Sequence, residues 1–181
     1  MRYPDVPRDS QPELITALAG PLVNLAILLA LLPMVVMSDL NVSALVNPLA
    51  PDELIVGSWW QIALQLTFWI NWVILVANLL PAFPFDGARM LRTLLWPALD
   101  YRTAGLVVVR TSRLTAFALV IFAWVLRDLQ STAVLPTWVP LVLVSTLIYF
   151  SAQAEAMRLE QAEWDDELMS YDFSQGYTSL E

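Results

Sequence analysis

Between its charged residues the chain runs for long distances with no charge at all. Residues 14–37 are 24 consecutive uncharged positions between Glu13 and Asp39. As a helix this run reaches about 36 Å, enough to cross a ~30 Å hydrocarbon layer with some tilt. Residues 54–85 are 32 uncharged positions between Glu53 and Asp86, longer than one span needs. Pro81 and Pro84 fall in its last five residues, so the regular helix is expected to end near Leu80 and leave a non-helical strip. Such backbone is tolerated at membrane depth only where protein or a wet cavity covers it.

The third run, residues 114–126, has only 13 uncharged positions. Extending it back to Ala104 gives a usable span, with Arg110 and Arg113 snorkelling to one interface. The fourth covers residues 129–154, with Pro136 and Pro140 in its first part, where they disrupt a helix least. A soluble domain carries roughly a quarter charged residues. Here they are 14%, against 58% hydrophobic. The reading is an all-α polytopic membrane protein with four transmembrane helices and a Pro-rich non-helical strip at the end of the second. A segment over residues 1–13 precedes a transmembrane core over residues 14–154, and an acidic tail follows over residues 155–181.

Arginine counts orient the spans. All nine basic residues are Arg, and alternate sides of the four-span topology hold eight and one of them. The loop over residues 38–53 has none, whereas residues 87–113 carry Arg89, Arg92, Arg102, Arg110 and Arg113. The positive-inside rule then puts both termini and the second loop in the cytoplasm of an inner or plasma membrane. Trp59 and Trp60 become belt residues at the outer entrance of the second span. The first run follows an acidic, Pro-rich stretch and exceeds a signal-peptide h-region in length.

Several chemistries are excluded. The chain has no Cys and no His, so thiolate metal sites, the Ser-His-Asp triad and most zinc sites cannot be built from it alone. The net charge of −8 lies almost entirely in residues 155–181, and no basic stripe points to nucleic acid. That acidic stretch reads as a solvated extension, or as a continuation of the fourth helix as far as Met169 with Trp164 at its edge.

Three polar positions stand out in or beside spans: Asn24, Asn78 and Asp86. Ionisable and strongly polar groups there are expensive and often functional. Each also has a plainer reading. Asp86-Gly87 reads as a helix stop at the water interface. Asn24 and Asn78 read as interhelical hydrogen-bond partners, Gly20 as a close-packing residue, and Pro21 as a tolerated kink.

Two segments carry a family resemblance. Asn78-Leu-Leu-Pro81-Ala-Phe-Pro84-Phe-Asp86-Gly87-Ala-Arg89-Met-Leu-Arg92 resembles the second signature of the site-2 protease family of intramembrane zinc metalloproteases. Glu13-Leu-Ile-Thr-Ala-Leu-Ala-Gly20-Pro21-Leu-Val-Asn24 resembles the opening of that family's preceding helix. The resemblance covers nearly all of residues 13–153. It implies that Asp86 is the third protein ligand of a catalytic zinc and Asn78 a polar partner near the substrate carbonyl. Gly20, Pro21, Asn24, Pro81, Pro84 and Gly87 are the structural residues around them. It also implies substrates that are transmembrane segments of membrane proteins.

In the family the other zinc ligands are the two His of an H-E-x-x-H helix, whose Glu is the general base. A His₂-Asp set leaves one position of the zinc open for water, and the zinc lowers the pKa of that water toward neutrality. This sequence has no H-E-x-x-H, and Ala88 stands where the family usually has a second Gly. The expectation is therefore the C-terminal part of such a protease, starting in mid-domain and unable to hold zinc or hydrolyse peptides alone. The missing N-terminal half with H-E-x-x-H would then be a partner. Two alternatives remain: a catalytically dead relative that binds transmembrane segments or modulates a protease, and an unrelated four-helix transporter fragment.

Overall fold

The computed structural model describes residues 10–38, 40, 42–48, 54, 55, 57–127 and 136–170, with side chains placed over residues 12–165 of these. All regular structure in them is helical except for a short 3₁₀ turn at Leu54. The helices are α1 (Ser10–Met37), α2 (Val42–Leu45), α3 (Trp59–Leu79), α4 (Asp86–Leu95), α5 (Tyr101–Leu126) and α6 (Trp138–Ser170). Four of them, α1, α3, α5 and α6, are long and apolar enough to cross a membrane. The fourth run was expected from Leu129; α6 begins at Trp138, and residues 128–135 lie outside the described residues.

Local chemistry sets the boundaries. At the start of α3, Ser58 donates its backbone N–H to Gln61 Oε1 at 2.9 Å, the reciprocal half of a capping box. At the start of α5, the Asp100 carboxylate accepts the Thr103 N–H at 3.0 Å. Pro81 forces Leu80 into extended backbone (φ −63°, ψ 129°), which ends α3 where the proline spacing predicts. Pro21 and Pro33 are both carried inside α1. The helix of the fourth span continues through the acidic residues to Ser170.

The spans pack as two pairs. Leu28 and Val35 of α1 meet Leu64, Phe68 and Leu75 of α3 in one core. Two α3 indoles fasten the connecting loop to this pair: Trp69 Nε1 donates to the Asn47 carbonyl at 2.8 Å and Trp72 Nε1 to the Val46 carbonyl at 3.0 Å. In the other pair, Ser145 of α6 donates its hydroxyl to the Ala116 carbonyl of α5 at 2.8 Å. Gly105 of α5 comes so close to Leu159 of α6 that an added Cβ would lie 3.0 Å from its Cδ1. Small residues of this kind let membrane helices approach without a hydrophobic drive between them. Large apolar side chains such as Leu22, Leu29, Phe117, Trp124 and Phe150 point outward, as lipid-facing surfaces require.

The helix α4 was not anticipated from the sequence. It lies between the pairs and touches α1, α3 and α5. The strip before it is covered by protein. Ala82 is fully buried with Ala116 and Ile148, and Phe83 packs with Val108 and Leu159. The Phe83 N–H donates to Ser112 Oγ at 3.0 Å, and that hydroxyl donates to the Val108 carbonyl at 2.8 Å. The Phe83–Pro84 peptide bond is cis. The centre of the irregular strip, Ala82 and Phe83, is thus both buried and hydrogen-bonded, while Pro81 and Pro84, which have no N–H to satisfy, are exposed.

Candidate functional site

Asp86 does not stop a helix; it is the first residue of α4. Negative charge in the first turn of a helix is favoured by the macrodipole. Its side chain is half-buried and has no hydrogen-bond or ion-pair partner among the described residues. Gly20 of α1 lies directly against it: a Cβ built on Gly20 would sit 2.7 Å from Asp86 Oδ2. Gly87 is pressed on the other side, where a Cβ would lie 2.4 Å from the Leu80 carbonyl oxygen and 2.8 Å from that of Leu79. The two motif glycines are therefore the two places where backbone crowds the Asp86 turn.

The remaining sequence-derived residues surround this point. Pro21 is buried on α1 beside Gly20, and Asn24 is half-buried one turn further along. Asn78 is half-buried in the last turn of α3. Pro81 and Pro84 are exposed on the strip that joins α3 to α4. Arg110 and Arg113 are exposed on α5, and Arg113 donates to Gln153 Oε1 at 2.8 Å.

One cluster escaped the sequence. Arg92, two turns after Asp86 on α4, bonds to Glu13 of α1 at 2.8 Å and to Glu155 of α6 at 3.0 Å. Its guanidinium also lies over the Tyr101 ring, 4.9 Å from the centroid. Burial works against the Arg92 charge, but the hydrogen bond to Glu13 and the surrounding negative groups outweigh it and hold the guanidinium above its ordinary value. The network ties α1, α4, α5 and α6 at one rim, the rim that carries Asp86. A signal existed: Glu13 and Glu155 are the charges that bound the first and fourth apolar runs on the same predicted side.

The donors present do not make a catalytic zinc site. Catalytic zinc takes three protein ligands and leaves one position open. Among the described residues no group of three imidazole, thiolate or carboxylate side chains converges, and the chain has no His. Asp86 is a single donor.

Four helices long and apolar enough to cross a membrane, with Asp86 beside a largely covered non-helical strip, make this an integral membrane protein. Comparison with known proteins gives a likeness. The chain matches the family described as Peptidase family M50, the site-2 protease family, over residues 36–123, which include α3, the strip, α4 and most of α5. It is 27% identical over 150 residues to a zinc metalloprotease of Methanocaldococcus jannaschii, covering 82% of this chain and 36% of that protein. The chain thus spans little more than a third of that relative's length. No solved structure matches. The resemblance to the site-2 protease family, a family of metalloproteases, holds.

Proposed function

We propose that this chain supplies the carboxylate zinc ligand, Asp86, and part of the membrane core of a site-2-type intramembrane metalloprotease. The intact enzyme hydrolyses peptide bonds of membrane-embedded substrates. The observation that carries this reading is the geometry of Asp86: half-buried, unpartnered among the described residues, and held against Gly20 at the end of a covered non-helical strip. A carboxylate in that setting is expensive unless a cation compensates it. Asn78 is its polar companion toward the substrate carbonyl. Positive-inside charge puts this rim in the cytoplasm, along with both termini.

With no imidazole of its own, the chain needs two His from an H-E-x-x-H segment outside these 181 residues. Alone it neither retains zinc stoichiometrically nor cleaves peptides. Metal analysis and a protease assay on the purified chain, with Asp86→Ala as control, test this. The expected result is no activity above the control. Activity above it overturns the reading.

The complete lack of His also favours a second reading, in which the chain binds transmembrane segments or modulates a protease without catalysing. Adding an H-E-x-x-H segment separates the two. The first reading expects Asp86-dependent cleavage to appear, and the second expects none.

A further inference from the structure

A cleft of about 620 Å³ opens at the same rim, between α4, α5 and α6. Asp86 is not in its lining, although Phe83 and Pro84 of the strip before it are. Arg89 and Arg92 come from α4 and Arg158 from α6, while Glu155 is the one acid in the lining. Glu155 is already engaged by Arg92 at 3.0 Å and by Arg158 at 3.5 Å. Arg92 spends its second terminal nitrogen on Glu13. Arg89 is half-buried and has no hydrogen-bond or ion-pair partner for its side chain among the described residues. Three guanidiniums against two carboxylates leave one uncompensated positive charge. A group with a single negative charge would complete it.

The depth of the cleft narrows the choice. The uncharged run of α6 ends at Ala154, and the charged residues that α6 gives the cleft, Glu155 and Arg158, follow directly. On α5 it touches Tyr101, the first helical residue, whose ring stacks edge-on with Trp96 at 5.1 Å. Such aromatic pairs mark headgroup level. Phe83 and Leu159 add an apolar wall. A polar, cationic end beside a greasy wall at headgroup depth fits a phosphate attached to acyl chains better than a soluble anion.

We propose that this cleft binds the phosphodiester headgroup of an anionic phospholipid. Arg89 and Arg158 donate to the phosphate oxygens, and Phe83 and Leu159 lie along the glycerol and upper acyl carbons. The site depends only on the cleft, so it stands or falls separately from the assignment of Asp86.

The test uses the full chain in neutral detergent and follows its unfolding midpoint and lipid retention by native mass spectrometry. The additions are phosphatidylglycerol, phosphatidylcholine or inorganic phosphate. Phosphatidylglycerol is expected to raise the midpoint and stay bound, and phosphatidylcholine is not. Arg89→Gln and Arg158→Gln are each expected to weaken retention by roughly fivefold, the effect of one basic contact at a membrane surface. Arg127→Gln, at the far end of α5, should leave it unchanged. Equal retention of phosphatidylcholine, equal loss with Arg127→Gln, or no loss with the two cleft variants would overturn the proposal. Stabilisation by inorganic phosphate that also displaces phosphatidylglycerol would overturn the lipid assignment in favour of a soluble phosphate.

Discussion

The α1 backbone at Gly20 and the Asp86 carboxylate leave no room for a methyl group between them: a Cβ at Gly20 would lie 2.7 Å from Asp86 Oδ2. Residues 66 positions apart are thereby joined at one point of the rim. The close approach couples the rotation of the first span to the direction of the carboxylate. It gives the glycine of the first motif a physical reason to be there.

Gly20→Ala should therefore separate folding from function. The atom it meets is the far end of a side chain that can rotate away, and Ala favours a helix over Gly by about 1 kcal/mol. The unfolding midpoint is expected to hold or rise. Asp86-dependent cleavage in a reconstituted enzyme should fall by about 100-fold, as for a displaced catalytic group. Gly87→Ala meets backbone instead, at 2.4 Å from the Leu80 oxygen. It should destabilise the fold by about 1–3 kcal/mol through overpacking. Thermal unfolding of both variants, beside activity, checks the contrast.

The Glu13–Arg92–Glu155 network predicts an asymmetry. The Arg92 side chain is only 11% exposed, and Arg92→Met would leave the largely buried Glu13 unpaired and Glu155 with only the exposed Arg158 at 3.5 Å. A loss of about 3–5 kcal/mol is expected. Replacing all three residues, with Leu at 13 and 155 and Met at 92, should recover most of it, because a buried ionic triad is weak evidence for stability in itself. Denaturant unfolding of the single and triple variants decides whether the loss comes from stranded charge.

One hydroxyl ties the strip before Asp86 to α5. Ser112 is fully buried and accepts the Phe83 N–H. Ser112→Ala leaves that N–H without a partner and should destabilise by about 1–3 kcal/mol. Hydrogen exchange at the Phe83 amide is the direct readout. Protection there is expected to drop more than at α3 amides such as Leu75.

Asp100 gives a pH dependence whose sign is fixed. The Thr103 hydroxyl and amide hold its carboxyl below the ordinary value of 3.8. A carboxyl depressed in the folded state contributes stability above its unfolded pKa and loses it as pH falls through the folded value. The stability gap between wild type and Asp100→Ala should be full at pH 7 and shrink below about pH 4. Melting curves across that range check it.

What the sequence revealed and what it hid follow from the range of the interactions. The first, second and fourth spans were legible because charge is excluded over 20 or more consecutive residues, a local signal; the third, with 13, was reached only by extending it across Arg110 and Arg113. The end of α3 was legible because Pro81 restricts its neighbour Leu80. Asp86, Gly20 and Gly87 stood out as motif residues, but no spacing rule joins position 20 to position 86. The same holds for Glu13, Arg92 and Glu155, whose pairing needs three helices to be packed. The helix α4 was hidden among five arginines read as a loop. Its apolar positions Ala88, Leu91 and Leu95 recur at helical spacing, but over only ten residues. Arg92, read as one more positive charge on that side, is mostly buried and spoken for by two acids.

The most direct test is zinc content after reconstitution with an H-E-x-x-H membrane segment supplied in trans. The account predicts no stoichiometric zinc on the chain alone, about one zinc per complex once the imidazoles are present, and loss of that zinc in Asp86→Ala. Zinc held equally well by the Asp86→Ala complex would contradict it.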